Sequence, residues 1–329
     1  MDWFLDAGTV GHKLALMVLA IVLFAAVMAV ILFAVDRPKR IPQWVVVLGF
    51  LGPPLLLLAV GLVYPGIATF FGSFQSGNGS RFIGLDNYVT IFSEANFRLV
   101  LRNTVLWVLV APVVATLIGL VYAVLVDRTR FENLAKALVF LPMAISMVGA
   151  SIIWRFVYEF RPDQPGIAQI GLLNQLLVLV GGSPQQFLLT QPWNTFFLIV
   201  VMIWINAGFA MTILSAAIKA IPDDIIEAAR LDGLSGTGMF RYITVPSIRP
   251  ALVVVLTTIA MTTLKVFDIV RTMTGGNFRT SVVANEFYQQ SFVQGDAGMG
   301  AALAVVLFII VIPIIIYNVR QLRLSEEIR

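Results

Sequence analysis

The sequence predicts an all-α integral membrane protein with about seven transmembrane helices. Of its 329 residues, 59% are hydrophobic and only 12% are charged, whereas soluble domains carry about 25% charged residues. A chain so poor in charge cannot cover a water-facing surface, so lipid is its expected solvent. Apolar runs of about 20 residues, the length of helix that crosses the hydrocarbon, recur along the chain. Lys and Arg collect in alternate loops between these runs.

Seven apolar runs are long enough to cross a membrane. Prolines within or beside several of them do not exclude helices, because neighbouring helices can satisfy the carbonyls that proline frees. A shorter apolar stretch at 167–180 follows a polar run and predicts an interfacial or re-entrant helix. The predicted spans are residues 14–35, 45–64, 104–126, 137–157, 195–218, 251–270 and 301–317.

The charges predict the orientation of these spans. The first run is too long for a secretory signal and follows two aspartates rather than a basic segment, so we expect a true span with its N-terminus outside. In this orientation 13 Lys and Arg fall on the cytoplasmic side and 8 on the outer side, as the positive-inside rule requires. The C-terminus and the loop before the sixth run are then cytoplasmic. The loops at 65–103, 158–194 and 271–300 face outward.

The composition excludes several kinds of site. The chain has no Cys and a single His, which excludes disulfides and cysteine nucleophiles and argues against a metal centre. We expect no enzyme, since no acid, base and nucleophile set converges. The net charge of only +4 gives no reason to expect a nucleic-acid partner. The phosphate-binding pattern G-x-x-x-x-G-K-[ST] is absent from the sequence, so we expect no bound nucleotide and no other cofactor.

The cytoplasmic loop between the fifth and sixth runs has a distinctive pattern. Pro222 and the two acids after it predict the start of a helix. Asp232 and Gly233 predict a turn, because glycine adopts backbone conformations that a side chain forbids. A second amphipathic piece at 239–243 leads to the next span. Two short helices joined in this way suit docking into a partner's groove, although periodicity alone favours an ordinary amphipathic connector.

The spacing of residues in this loop resembles that of a known family. The segment EAARLDG at 227–233 is followed at fixed spacing by Phe240, Ile243, Pro246 and Pro250. It resembles the EAA loop of binding-protein-dependent ABC permeases, which usually have Ala where this chain has Leu234.

Further segments extend the resemblance over most of residues 45–320. Those at 84–88, 267–268 and 274–276 are similar to the carbohydrate-uptake subfamily and its MalF-like members. Those at 159–165 and 265–277 resemble α-glucoside permeases.

The resemblance implies a type I ABC importer permease fold in a bacterial cytoplasmic (inner) membrane. The EAA loop, 221–250, would form the coupling helix that sits in a cleft of the ATP-hydrolysing subunit, which alone binds ATP and Mg²⁺. The implied partners are a second, MalG-like permease, a dimer of ATP-binding subunits, an extracytoplasmic sugar-binding protein and its sugar. The implied domains are an extra transmembrane helix at 1–44, the permease domain at 45–320 and a cytoplasmic tail at 321–329. The implied coupling residues are Glu227, Ala228, Ala229, Asp232, Gly233, Phe240 and Pro246.

Polar residues in the sixth run are candidates for a substrate pathway, because polar groups are costly in lipid. Thr258, Thr262 and Lys265 are three or four residues apart and are expected to share one helix face, with Asp268 beyond them. Such a face would offer hydroxyls and an ammonium group to a sugar. The alternative is that the threonines bond their own backbone and that Lys265 pairs with Asp268.

The fifth run carries a second pair of pathway candidates. Trp204 could stack on a sugar ring, and the amide of Asn206 can both donate and accept hydrogen bonds. The alternatives are a tryptophan at the lipid interface and an asparagine that packs helices. By resemblance, Asn206 replaces a usual Gly and Gly208 a usual Pro, at positions that line the sugar site of the maltose system.

An ion-coupled secondary transporter is the rival class. Such a protein needs an intramembrane carboxylate in its pathway. Asp268 is the only acid within a predicted span, Lys265 could neutralise it, and the sequence has no inverted repeat. These observations favour the ABC permease.

Overall fold

Helices are the regular secondary structure of the part that the computed structural model describes, residues 10–35, 42–127, 129–162, 164, 166 and 168–326. One isolated bridge, between Gln75 and Phe82, is the nearest approach to a strand within those ranges. The all-α prediction is therefore confirmed. The chain divides into two units, Met1–Ala68 and Thr69–Arg329.

The first unit contains two long apolar helices, α1 (Val10–Val35) and α2 (Gln43–Leu58). A π-helical turn, Ala59–Val63, follows α2. Large apolar side chains of both helices are exposed, and Phe24 and Leu57 reach 68% and 70%. Helices that are apolar all round suit a lipid environment. The basic cluster at 37–40, which entered the orientation prediction, lies outside the described residues.

The second unit is built from helices of very different lengths. It begins within α3 (Tyr64–Gly72), and a long α5 and α9 run through its centre. The helices that follow α3 are α4 (Asp86–Ser93), α5 (Ala95–Val126), α6 (Glu132–Phe140), α7 (Met147–Val157), α8 (Leu172–Leu179), α9 (Trp193–Lys219), α10 (Asp223–Leu231), α11 (Gly236–Met239), α12 (Val245–Ser247), α13 (Arg249–Leu264), α14 (Asp268–Met273), α15 (Val283–Tyr288) and α16 (Ala297–Glu326).

The number of candidate spans agrees with the prediction. Within the described ranges, five helices are long and apolar enough to cross a membrane. Two bent helix pairs raise the number to seven if each pair forms one span. The short helix α8 falls in the apolar stretch that was predicted to be interfacial or re-entrant.

The fourth predicted span, 137–157, is not one straight helix. After α6, a 3-10 turn at Leu141–Ala144 contains Pro142, and α7 restarts at an angle of 103° to the first piece. Proline cannot donate the backbone hydrogen bond that would continue α6. Ser146 caps the restart, because its Oγ accepts a hydrogen bond from the amide of Gly149 at 3.1 Å.

The sixth predicted span, 251–270, is also interrupted. When α13 ends, the amides of Lys265 and Val266 bond the carbonyls of Thr262 and Thr263 at 3.2 and 3.0 Å. Bonds to the third residue back tighten the last turn and close the helix. The prediction of one continuous helix is therefore wrong here, and α14 is a separate element.

The core lies where α5 and α9 pack along each other. A Cβ atom on Gly119 of α5 would lie 2.5 Å from the Cβ of Ala210 on α9, so the glycine permits the close approach. Trp107, Leu198 and Met202, further along the same two helices, are fully buried in one apolar cluster. Helix α13 packs against both α5 and α9. The two helices that carry the predicted pathway residues, α9 and α13, are therefore in contact.

Candidate coupling loop and substrate pathway

The EAA motif lies on helix α10, whose start follows from its sequence. Pro222 precedes the helix, and Asp223 and Asp224 occupy the first turn. Carboxylates there interact favourably with the positive end of the helix dipole. The predicted helix start is confirmed.

The end of α10 is a Schellman motif centred on Gly233. This residue has φ +85°, and its amide donates to the carbonyl of Arg230 at 3.0 Å. The amide of Leu234 donates to the carbonyl of Ala229 at 2.9 Å. A left-handed residue closes a helix in this way, and glycine adopts that conformation without a Cβ clash. The predicted Asp-Gly turn therefore exists and has a defined geometry.

Helix α10 has one packed face and one open face. Ala229 is only 5% exposed, and Ile226 and Phe240 pack against an apolar cluster that includes Ile221 and Ile248. Glu227 forms neither a hydrogen bond nor an ion pair with any described residue, so its carboxylate is available to a partner. The remaining candidates are also exposed, and they are Ala228, Asp232, Gly233 and Pro246.

The second piece of the EAA-type loop begins earlier than predicted. It starts as α11 at Gly236, continues through a π-helical turn at Phe240–Thr244 and ends as α12. Gly238 therefore lies within α11. This piece meets α13 at an angle of 68°, so the loop turns sharply before the chain continues.

A charged network ties the end of α9 to α5 and α6 immediately before this loop. Lys136 Nζ donates to Asp127 Oδ1 at 2.5 Å and to Glu132 Oε1 at 2.9 Å. Ser215 Oγ donates to the same Asp127 oxygen at 2.6 Å, and Lys219 pairs with Glu132. The side chain of Asp127 is only 8% exposed. Sequence reasoning used Lys136 and Lys219 only as orientation signals and missed the network.

The pathway candidates on α9 are half-buried and already have partners. The ring of Trp204 meets that of Trp154 edge to face, with 5.7 Å between centroids. Asn206 Nδ2 donates to the carbonyl of Met202 at 2.8 Å. Its Oδ1 accepts no hydrogen bond from the described residues, so the amide retains one free acceptor.

Gly208 has a packing role on α9. A Cβ atom there would lie 2.3 Å from the carbonyl oxygen of Val139 and 2.8 Å from the Cα of Phe140. The glycine therefore lets α9 approach the end of α6 closely. This accounts for a small residue at a position where relatives are expected to have Pro.

On α13, the alternative of backbone bonding is confirmed for three of its threonines. The hydroxyls of Thr257, Thr262 and Thr263 donate to carbonyls of the preceding turn at 2.7–2.8 Å. Thr258 is half-buried, and no described residue bonds its hydroxyl. Thr258 and Thr262, four residues apart, share a face as predicted.

Lys265 lies at the C-terminal end of α13, three residues after Thr262. It follows the last residue of α13 and caps the helix instead of continuing it. The ion pairs of the described residues do not include one between Lys265 and Asp268, and Asp268 opens the separate helix α14. The shared face of Thr258, Thr262 and Lys265 stays a prediction, and Asp268 belongs to the next helix.

Two buried asparagines, which sequence reasoning missed, hold the turn at 274–283. Asn103 Nδ2 donates to the carbonyls of Arg279 and Ser281 at 2.8 and 2.9 Å. Asn194 Nδ2 donates to the carbonyl of Phe278 at 2.8 Å. Phe278 and Arg279 have φ values of +55° and +64°, a conformation that is costly for residues other than glycine. In the sequence, the available signal for this role was the presence of these two asparagines among the apolar residues of the helices.

These features are those of a transport permease, and comparison with known proteins identifies the class. The chain belongs to the family of binding-protein-dependent transport system inner membrane components, which matches residues 92–324. It is a permease subunit of an ABC importer rather than the ion-coupled secondary transporter that was the rival class. Its place is the inner membrane.

Two relatives cover most of the chain. The alpha-glucoside transport system permease protein AglF of Rhizobium meliloti is 47% identical over 273 residues, which are 83% of this chain and 81% of that protein. The osmoprotective compounds uptake permease protein GgtC of Synechocystis is 44% identical over 280 residues, 85% of this chain and 100% of that protein.

A solved structure shares the fold. It is a bacterial ABC transporter involved in the import of the acidic polysaccharide alginate, with a TM-score of 0.73 and 21% identity over 85% of this chain and 96% of that one. The predicted importer permease fold is confirmed.

Proposed function

We propose that this permease forms half of the translocation pathway for a sugar, an oligosaccharide of the α-glucoside type. The observation that carries this is the 47% identity to an α-glucoside permease over four-fifths of both chains. A trehalose/maltose permease of Thermococcus litoralis, 30% identical over 286 residues, supports the same substrate class. An extracytoplasmic binding protein delivers the substrate, and ATP hydrolysis on separate subunits drives its transport.

The EAA-type loop, 221–250, is the proposed contact with the ATP-hydrolysing subunit. Its buried face, with Ala229 and Phe240, holds α10 on the permease. Its open face presents Glu227 beside the Schellman turn, where a partner's cleft can reach it. In this proposal α9 and α13, the helices on either side of the loop, transmit its movement to the pathway.

The proposed assembly contains a second, MalG-like permease and a dimer of ATP-binding subunits, which hold ATP and Mg²⁺. The N-terminus faces outward and the C-terminus faces the cytoplasm. Residues 1–44 form an additional transmembrane helix, 45–320 the permease domain and 321–329 a cytoplasmic tail. The structure of a related fold in complex with a pentasaccharide-bound periplasmic protein supports the binding-protein partner.

The pathway face is proposed on α9 and α13, with Trp204, Asn206, Thr258 and Thr262. The free Oδ1 of Asn206 and the unbonded hydroxyl of Thr258 are groups that a sugar hydroxyl could reach. Lys265, at the C-terminal end of α13, and Asp268, at the start of α14, would contribute at the end of this face.

Uptake of labelled maltose by membrane vesicles that contain the complete transporter tests this function. Glu227→Gln should abolish maltose uptake and maltose-stimulated ATP hydrolysis. The chain should stay in the membrane, because the lost carboxylate has no structural partner within it. Asp224→Asn, an exposed acid on the same helix, is the matched control and should retain uptake. Full uptake with Glu227→Gln contradicts the coupling role, and uptake that survives ATP depletion contradicts ATP-driven import.

Import of osmoprotective compounds is a second candidate. It is favoured by the 44% identity to GgtC, all of whose length is matched. Competition separates the two. If the proposed function is right, excess unlabelled maltose displaces the label, and glycine betaine, an osmoprotectant without a sugar ring, does not.

A further inference from the structure

Two adjoining polar cavities lie on the segment between α14 and α16. One encloses about 620 Å³ beside Arg271 and Gln289, and the other about 370 Å³ against the start of α5. Gly276, Ser281 and Glu286 line both. Each volume falls within the range of about 300–1,000 Å³ that is typical of small-ligand sites. In the proposed orientation this segment faces outward, where the substrate arrives.

Glu286 is held in place at the junction of the cavities by neutral groups. Its Oε2 accepts a hydrogen bond from Ser281 Oγ at 3.1 Å, and its Oε1 accepts one from Gln290 Nε2 at 2.9 Å. No ion pair of the described residues involves this carboxylate. Each oxygen retains acceptor capacity, so an oriented, uncompensated carboxylate faces the cavity.

Arg271, which lines the larger cavity together with Glu286, supplies hydrogen-bond donors. The guanidinium of Arg271 stacks over the ring of Tyr288 at 4.8 Å and donates to Gln289 Oε1 at 3.4 Å. These two contacts orient the group and leave most of its five N–H donors free. Arginine fixed on an aromatic ring beside a fixed carboxylate gives complementary donors and acceptors across one cavity.

The buried side-chain amide of Asn285 lacks one hydrogen-bond partner. Asn285 lines the larger cavity, is 2% exposed and donates through Nδ2 to Ser281 Oγ at 3.0 Å. Its Oδ1 is buried without a hydrogen-bond partner. A buried polar atom without a partner is costly, and a hydroxyl group from a ligand would satisfy it. Gly276, with φ +83°, leaves the space, since a Cβ there would lie 2.3 Å from Asn285 Nδ2.

We propose that these cavities form an outer sugar-binding subsite, distinct from the face on α9 and α13. A neutral sugar offers hydroxyls that both donate and accept, which matches a lining of Arg271, Asn285, Glu286 and Gln289. An ion would use only one charge of this lining. The subsite would receive the sugar from the binding protein before it enters the membrane. The inference rests on the proposed sugar-import function.

Because the sequence has no Cys, a single introduced cysteine reports on the cavity in the intact transporter. Val293→Cys places the label at an exposed lining position, and Val89→Cys, equally exposed on α4, is the control. Maltose should slow maleimide labelling at position 293 several-fold and leave position 89 unchanged. An equal osmolality of KCl should affect neither.

Variants of the carboxylate test the chemistry. Glu286→Gln should raise the maltose concentration that gives half-protection about tenfold, the effect of one lost charge-assisted hydrogen bond. Glu159→Gln, an exposed glutamate in another loop, is the matched control and should not change it.

Maltose uptake is measured on the same vesicles, so that two failures can be distinguished. Absent uptake contradicts the proposed function. Intact uptake without protection at position 293 overturns the subsite alone. Protection that depends on the binding protein but not on maltose also overturns it, because a partner then covers the cavity.

Discussion

The side-chain amide of Asn103 donates a hydrogen bond to the carbonyl oxygen of Arg279 at 2.8 Å. Asn103 is on α5 and is 5% exposed, whereas Arg279 adopts a left-handed backbone conformation at φ +64°. The bond joins residues 176 positions apart. It holds a strained turn against a central helix, next to the polar cavities.

Removing this amide should loosen the turn. Asn103→Leu keeps a similar volume but leaves the carbonyls of Arg279 and Ser281 without their donor. We expect a loss of about 1–3 kcal/mol in unfolding free energy, measured by thermal unfolding of the purified transporter. Asn96→Leu, at an exposed position without hydrogen bonds, is the control, and an equal loss there would contradict the anchoring role.

Gly233 should require a residue that tolerates positive φ. Gly233→Ala strains the Schellman turn and should cost about 1 kcal/mol locally. We expect it to abolish uptake, because the direction of α10 changes. Gly233→Asn should recover part of the uptake, since asparagine adopts the left-handed conformation more readily. Equal uptake by the Ala and Asn variants would show that the turn geometry is unimportant.

Gly208 should be intolerant of even one methyl group. In Gly208→Ala the new Cβ meets Val139 backbone at 2.3 Å, so α9 and α6 must separate, at a cost of about 1–3 kcal/mol. Gly52→Ala, on α2 with no atom within 4 Å of the new Cβ, is the matched control and should be neutral. Thermal unfolding of both variants decides the point.

The network at the end of α9 predicts a non-additive pair of substitutions. Lys136→Met leaves the buried carboxylate of Asp127 without its cation and should cost about 3 kcal/mol. Adding Asp127→Asn removes the uncompensated charge, so the double variant should be more stable than the single one. Unfolding measurements on the two single variants and the double variant check this, and simple additivity of the two single effects would contradict the coupling.

The pathway candidates should affect transport more than stability. Thr262 bonds its own helix backbone, so Thr262→Val should change the unfolding free energy by less than about 1 kcal/mol. Asn206→Leu should behave similarly. Both should alter sugar-stimulated ATP hydrolysis. If the stimulation of ATP hydrolysis by sugars is unchanged in both variants, these residues serve helix packing instead.

Much of the fold could be predicted because membrane spans are a property of local composition. An apolar run of sufficient length becomes helical in lipid whatever surrounds it, and the seven runs correspond to five helices and two bent pairs. The EAA-type motif was equally readable, since its turn depends on the local conformation of Gly233. Length and composition therefore predicted a multi-span membrane protein, and the resemblance of the spaced EAA-type motif predicted the permease class.

The breaks within spans could not be predicted in the same way. The run at 251–270 is apolar on average, yet α13 ends at Leu264 and the buried Val266 lies between α13 and α14. Lys265 and Asp268 fall near this point, but an average over the window does not show where the helix ends. What decides it is the packing available to each side chain after the chain turns.

The sequence by itself determined that this chain is a helical membrane permease with an EAA-type loop. Only the tertiary structure decided which polar groups act together. Asn194 bonds a carbonyl 84 residues away, and Asp127 meets Ser215 from another helix. The end of α13 at Leu264 likewise depends on the residues packed around it. Such pairings arise from the folded arrangement of distant segments, and no local pattern specifies them.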